Sequence, residues 1–184
     1  MYHKQLNKTA VQSQHMIADA LFSLMKRKPF QQITVTEICE AAAIGRKTFY
    51  RNFDAKEDVV EFRVEGLCDQ YKMEIIGMTL AEQLRHHMLF VRDHADVFIT
   101  LHKNDLHQMV RDKFAILQPI TMPKWTDDPV EQEYRSQYII AGVEAIERVW
   151  VERGFAESID EVVAIIQRAH ERKVPIIDNT SRYE

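Results

Sequence analysis

Turn-forming residues are scarce in this chain. Its 184 residues include five Gly and five Pro. An all-β sandwich or barrel needs turn signals at intervals of about 8–12 residues, so that class is excluded. Cysteine is scarcer still. Cys39 and Cys68 cannot build a disulfide framework, and neither stands in a zinc-ligand spacing. No run approaches the roughly 18 consecutive apolar residues of a membrane-spanning helix, and MYHKQLNKTA has no apolar core of a secretory signal. The expectation is a cytoplasmic protein with no membrane partner. A glycine-rich phosphate loop, a nucleophile elbow and a His-Glu-x-x-His pair are all missing. The carboxylates are not paired for acid–base work. The chain is therefore read as a non-enzyme with no catalytic residue and no cofactor. With 46% hydrophobic and 28% charged residues, it fits a globular protein of one large or two small domains.

The formal net charge of −4 is unevenly placed. Residues 1–57 carry nine Lys/Arg against five acids, a net +4, which leaves −8 on the remainder. A basic end on an acidic body suits a polyanion partner for the first part, and equally suits ordinary variation in surface charge.

Apolar periodicity is helical throughout. Ile17, Ala18, Leu21, Phe22 and Met25 form one stripe over 7–28, which Pro29 ends. Thr34 and Glu37 have capping-box spacing for a helix over 35–42. A short helix over 46–52 follows the Ile44-Gly45 break. Asp54 to Glu57 open a long helix that runs through Tyr71. Further helices are expected over 81–93, around 97–102, and from a cap at Asn104 through Leu117. Pro119, Pro123 and Pro129 mark the most loop-like stretch. Asp128 and Pro129 start a helix that runs to Arg153, with Gly154 placed to stop it in a left-handed conformation. Ser158 and Glu161 cap a last helix to about Glu171, and the tail from Pro175 is expected to fray.

Two short helices joined by a tight turn form a candidate helix-turn-helix. Ile38, Ala41 and Ala42 can meet Ile44 and Phe49, and Phe53 can close the unit. Arg46, Lys47, Thr48, Tyr50 and Arg51 then remain on or near the exposed side. Arg and Lys read guanine edges or bond phosphates, and Thr and Tyr hydroxyls suit phosphate oxygens. Lys56 opens the next helix, where its charge opposes the helix dipole unless an anion is near.

The run from Ile33 to Asp58, centred on Thr48-Phe49-Tyr50-x-x-Phe53-x-x-Lys56-Glu57, resembles the DNA-binding signature of TetR/AcrR-type transcriptional regulators. The likeness covers about residues 8–62. Ala43 stands where that family has Gly, and Gly45 where it has Ser or a similar cap. The resemblance implies an all-α fold. A helix-turn-helix domain would occupy residues 1–57, and a helix over 55–77 would link it to a dimerisation and effector region over 58–184. It implies that Thr36 faces DNA and that Arg46 and Lys47 contact base edges or nearby phosphates. Thr48, Tyr50 and Lys56 would hold the phosphate backbone, with Arg51 beside them. The implied partner is a palindromic operator in double-stranded DNA, bound by a homodimer acting as a ligand-responsive repressor. A protein-interaction adaptor or coactivator that keeps the fold without operator binding is the competing reading.

The last two helices are apolar over much of their circumference and need burial on more than one side. Tyr138, Ile139, Gly142, Ile146 and Val149 on the first, with Ile159, Val162, Val163 and Ile166 on the second, are the candidate dimer interface; central helices of a monomer would explain the same pattern. For a small-molecule effector, whose identity the sequence does not name, Met88, Phe98, His102, Phe114, Trp125 and Tyr138 are candidate pocket residues. Ordinary core packing explains the same residues. The histidines form no dedicated metal motif, so no metal is expected.

Overall fold

The computed structural model describes residues 8–115 and 124–171. The expectations for Leu117, Pro119, Pro123 and the tail from Pro175 lie outside those residues. Among the described residues every regular element is helical: α1 (Lys8–Met25), a 3-10 turn (Phe30–Gln32), α2 (Val35–Ala41), α3 (Arg46–Asn52), α4 (Lys56–Glu74), α5 (Leu80–Asp93), α6 (Ala95–Lys103), α7 (His107–Ala115), α8 (Pro129–Glu152) and α9 (Ile159–Glu171). None is long and apolar enough to cross a membrane.

Local chemistry sets most of these boundaries. The Thr34 hydroxyl accepts from the Glu37 amide, and Glu37 accepts from the Thr34 amide at 2.8 Å, which closes the capping box of α2. Ser158 and Glu161 repeat it on α9. Asp128 caps α8 with Pro129 at the first helical position. Gly154 stops that helix at φ +68°. Thr79 and Glu82 make a further box on α5 that the sequence reading did not single out. At α4 the start differs from expectation. Ala55 holds the cap position, and Asp58 reaches back to the Asp54 and Ala55 amides. Helix α1 ends at Met25, three residues short of the expected Lys28, because the Arg27 and Lys28 amides both turn back onto the Leu24 carbonyl.

The N-terminal head packs α1, α2, α3 and the first half of α4 around Ile17, Leu21, Ile33, Ile38, Phe49, Phe53, Val59 and Val60, all at most 2% exposed. Leu101 of α6 enters this same core, so the head is seated on the body rather than strung from it. The second half of α4 passes into a body cluster of Leu67, Tyr71, Ile75, Phe90, Val91, Phe98 and Val151. A third cluster joins α5, α8 and α9 through Met88, Trp150, Ile159, Val162 and Ile166. The Trp150 indole N–H donates to the Glu157 carbonyl at 2.9 Å and anchors the α8–α9 connection.

Candidate nucleic-acid interface and effector cavity

Helix α3 begins at Arg46 and ends at Asn52, as the spacing predicts. Phe49 and Phe53 are fully buried behind it. Phe49 lies 5.9 Å from Phe53, and Phe53 packs edge-on to Phe62 of α4 at 5.8 Å between ring centroids. This aromatic stack fixes the rotation of a helix too short to be stable alone. The rotation leaves Arg46, Lys47, Tyr50 and Arg51 exposed and Thr48 half-buried. Arg46 stands 5.9 Å from the Tyr50 ring centroid one turn on, a cation–π contact that steers both side chains along one face. Thr36, in the first turn of α2, is exposed. The first turn of α3 holds no acid.

The turn between α2 and α3 carries a local cost. Ala43 adopts φ +52°, a left-handed conformation that a glycine takes without penalty. Of the two alanines expected to meet Ile44 and Phe49, Ala42 is buried, whereas Ala41, like Ala43, faces outward. Gly45 caps α3 with no side-chain hydrogen bond.

Lys56 corrects its expected role. Its ammonium donates to the carbonyls of Phe30 at 2.7 Å, Gln31 at 3.2 Å and Ile33 at 2.9 Å. It also lies 4.5 Å from the Phe30 ring centroid. All three N–H donors are therefore occupied inside the protomer, and the side chain is a tether rather than a phosphate contact. Carbonyls exposed around a 3-10 turn are a natural partner for a cation.

A cavity of about 1390 Å³ opens in the body, lined by side chains from each of the helices α4 to α9. Phe98, His102, Phe114 and Trp125 line it, four of the six expected pocket residues. Met88 and Tyr138 do not: Met88 is fully buried in the α5–α8–α9 cluster, and Tyr138 is 69% exposed on the outer face of α8. The polar wall was not anticipated. Glu147, 9% exposed, takes a 2.8 Å hydrogen bond with His87, and Arg111 stands 3.5 Å from Glu144. Burial holds the Glu144 carboxyl above its usual range. It also pushes the Tyr71 phenol up, with the Glu147 charge adding to the effect, and holds the His102 imidazole below its ordinary value. The rings of His102 and His107 stack 9° from parallel at 5.4 Å. Two acids within the apolar run of α8 are the sequence signal for this wall. No group of three metal-ligating side chains gathers among the described residues.

The expected dimer residues divide. Tyr138 and Val149 are exposed, and Ile139, Gly142, Ile146 and Val163 are half-buried. Ile159, Val162 and Ile166 are at most 5% exposed and pack inside the protomer against Met88 and Trp150. A second copy cannot reach them, so their apolar spacing reflects the protomer's own core.

Comparison with known proteins accords with this architecture. Residues 17–61 match the family model for bacterial regulatory proteins of the tetR family. The uncharacterized HTH-type transcriptional regulator YxbF of Bacillus subtilis (strain 168) is 28% identical over 160 residues, or 79% of this chain. The chain spans only 41% of that relative's length. A TetR transcriptional regulator from Streptococcus agalactiae 2603V superposes with a TM-score of 0.69 at 20% identity, covering 90% of this chain and 97% of that one. Thermus thermophilus FadR, a TetR-family transcriptional repressor in complex with lauroyl-CoA, does so at 0.50 and 17% identity, covering 88% and 97%. Residues 17–61 thus match the tetR family of bacterial regulatory proteins, and over the rest of the chain the solved regulators share the fold alone.

Proposed function

We propose that this chain is a cytoplasmic, sequence-specific transcriptional repressor that binds a palindromic operator as a homodimer and releases it when a small molecule fills the body cavity. In this reading residues 1–57 are the reading head, 55–77 the link and 58–184 the dimerisation and effector region. The observation that carries it is the outward polar face of α3, set on buried Phe49 and Phe53 within a tetR-family domain. Arg46 and Lys47 meet base edges or adjacent phosphates. Thr36, Thr48, Tyr50 and Arg51 hold the backbone around them. Each phosphate contact releases a counterion, so log K falls by about 0.9 per contact as log salt rises.

Dimerisation is supported by an exposed apolar stripe on α8. Val130, Tyr134, Tyr138 and Val149 are 49–75% exposed, and Ile165 of α9 is 39% exposed. Of the half-buried candidates, Ile139 lines the cavity, Ile146 and Val163 pack against the Met88–Trp150 cluster, and Gly142 follows Tyr138 one turn on along α8. Two heads in fixed spacing match a twofold-symmetric site. The effector is read as an amphipathic small molecule. Its apolar body would lie on Phe98, Phe114 and Trp125, and its polar end would meet the His87–Glu147 and Arg111–Glu144 pairs. The relative seen with lauroyl-CoA is one such case.

The test is selection of duplexes from fragmented genomic DNA, followed by affinity measured against salt. The reading expects an enriched palindrome and a steep salt slope. Selection without enrichment, or an affinity indifferent to salt, overturns it. Sedimentation tests the assembly: Tyr138→Arg should give monomers, and an unchanged dimer removes the α8 stripe from the interface.

A further inference from the structure

One side chain of the body is inserted into the backbone of the head. Asn104 ends α6 and is only 6% exposed. Its Oδ1 accepts from the Phe30 amide at 2.7 Å. Its Nδ2 donates to the Thr100 carbonyl at 2.8 Å and to the Met25 carbonyl at 3.3 Å. A single planar amide thus joins three segments: the end of α1, the 3-10 turn and α6. The sequence spacing suggested a cap for α7 at this residue; the structure uses it 74–79 positions away instead.

The far side of the same turn is also held. The Phe30 carbonyl, with those of Gln31 and Ile33, takes the Lys56 ammonium. The Phe30 residue is therefore bonded to the body through its N–H and to the start of α4 through its C=O. Ile33 leads directly into the Thr34 cap of α2. On α6 the neighbouring residues divide between the two regions. Leu101 belongs to the head core, and His102, two residues before Asn104, faces the cavity. A second strut, Lys26 to Asp96 at 2.6 Å, is exposed and contributes little.

We infer that Asn104 is the clasp through which occupancy of the cavity reaches the DNA-binding head, with Lys56 passing its position on to α4; the inference rests on the repressor reading above. A buried carboxamide with three hydrogen bonds in three directions has no continuous range of adjustment. A shift of α6 by about an ångström breaks at least one bond and leaves a buried polar group without its partner, which the protein disfavours strongly. The clasp is thus an element with two states, made and broken, which is what transmission between sites requires. Asn104 is a positioning residue and touches neither ligand nor DNA.

The test needs no identified effector. His102→Trp places a bulky ring in the cavity and stands in for an occupant. The expectation is that H102W weakens binding to the selected duplex at least tenfold in the parent. In an Asn104→Leu background, which begins weakened, it should weaken binding less than twofold further. If H102W costs the same factor in both backgrounds, Asn104 merely supports the fold and the inference fails. Asn104→Ala serves in the same design if the Leu variant does not fold. An independent readout is hydrogen exchange at the Phe30 amide. H102W should accelerate it at least tenfold while the Ile17 and Leu21 amides of the head core keep their protection. Equal protection of Phe30 in H102W and the parent overturns the clasp. This arm uses no DNA, so it decides the inference even where duplex selection yields nothing and the repressor reading itself falls.

Discussion

The head and the body of this molecule are both built from helices but solve opposite problems. The head is dry. Phe49, Phe53, Ile17, Leu21, Ile33 and Ile38 fill its centre at no more than 2% exposure. The body holds a partly open cavity of about 1390 Å³ lined in part by ionisable groups, among them His87, Glu144, Glu147 and His102. A reader of base edges has to hold a few side chains in one geometry, and close packing does that. If the body is a sensor, as proposed, it has to have an empty state, and the unfilled space and part-buried ionisable groups are the cost of having one. On the repressor reading proposed above, rigidity sits where DNA would be met and adaptability where the effector would bind.

The contrast can be broken by equal substitutions in the two regions. Phe49→Ala removes a ring from a filled core and should lower unfolding free energy by about 3–5 kcal/mol. Phe114→Ala removes the same ring from the wall of an existing cavity and opens little new void; about 1–2 kcal/mol is expected. Urea denaturation compares them, and equal losses would mean that the head is packed no better than the body. Next in size is His87→Ala. It strands the buried Glu147 carboxylate without its 2.8 Å partner, and about 2 kcal/mol should be lost, a hydrogen bond to a charged group being worth about 1.5–3. Little change there would mean that water already serves Glu147.

Much of the head was legible because its determinants are local. Thr34 and Glu37 are three residues apart, as are Ser158 and Glu161 in the body, and capping chemistry acts over that distance. The bounds of α3 and the burial of Phe49 and Phe53 follow from periodicity within ten residues. Long-range partners were not legible. Nothing near Lys56 in sequence shows that its ammonium will meet carbonyls 23–26 residues earlier. Asn104 fits a cap by spacing and was taken by Phe30 instead. Ile159, Val162 and Ile166 show where the limit lies. A stripe says that a face is covered, but not whether the cover comes from α5 of the same chain or from a second chain. Met88 and Tyr138 failed as pocket residues for the same reason, one facing too far in and the other facing out.

A smaller effect separates the head from its relatives. Ala43 at φ +52° occupies the position where the resembling family has Gly. Relief of a left-handed alanine, offset by the greater freedom of glycine in the unfolded chain, should make Ala43→Gly stabilising by about 0.5–1 kcal/mol. Thermal unfolding reads this directly. A loss of stability would mean that the α2–α3 turn does not hold that conformation in solution.

The smallest expected effect is in the dependence of stability on pH, and it sharpens the comparison most. In the head, the hydrogen bond from Lys28, followed by those from Thr34, holds the Glu37 carboxyl down at about 2 against an ordinary 4.5. A depressed acid contributes stability that is fully present above 4.5 and is lost as pH falls from there toward 2. In the body, burial holds His102 below its ordinary 6.5. The unfolded chain then binds the proton more readily, so stability begins to fall as pH drops below 6.5. Glu144 opposes this at lower pH, because its raised carboxyl favours the protonated folded state. The body should therefore start to lose stability at a higher pH than the head. Titration of the melting temperature with His102→Leu should remove the limb near pH 6, and Lys28→Met should make the limb below 4.5 shallower. If Lys28→Met alters the upper limb or His102→Leu the lower one, the two regions do not titrate separately, and the division between a close-packed head and a chargeable body is wrong at its electrostatic root.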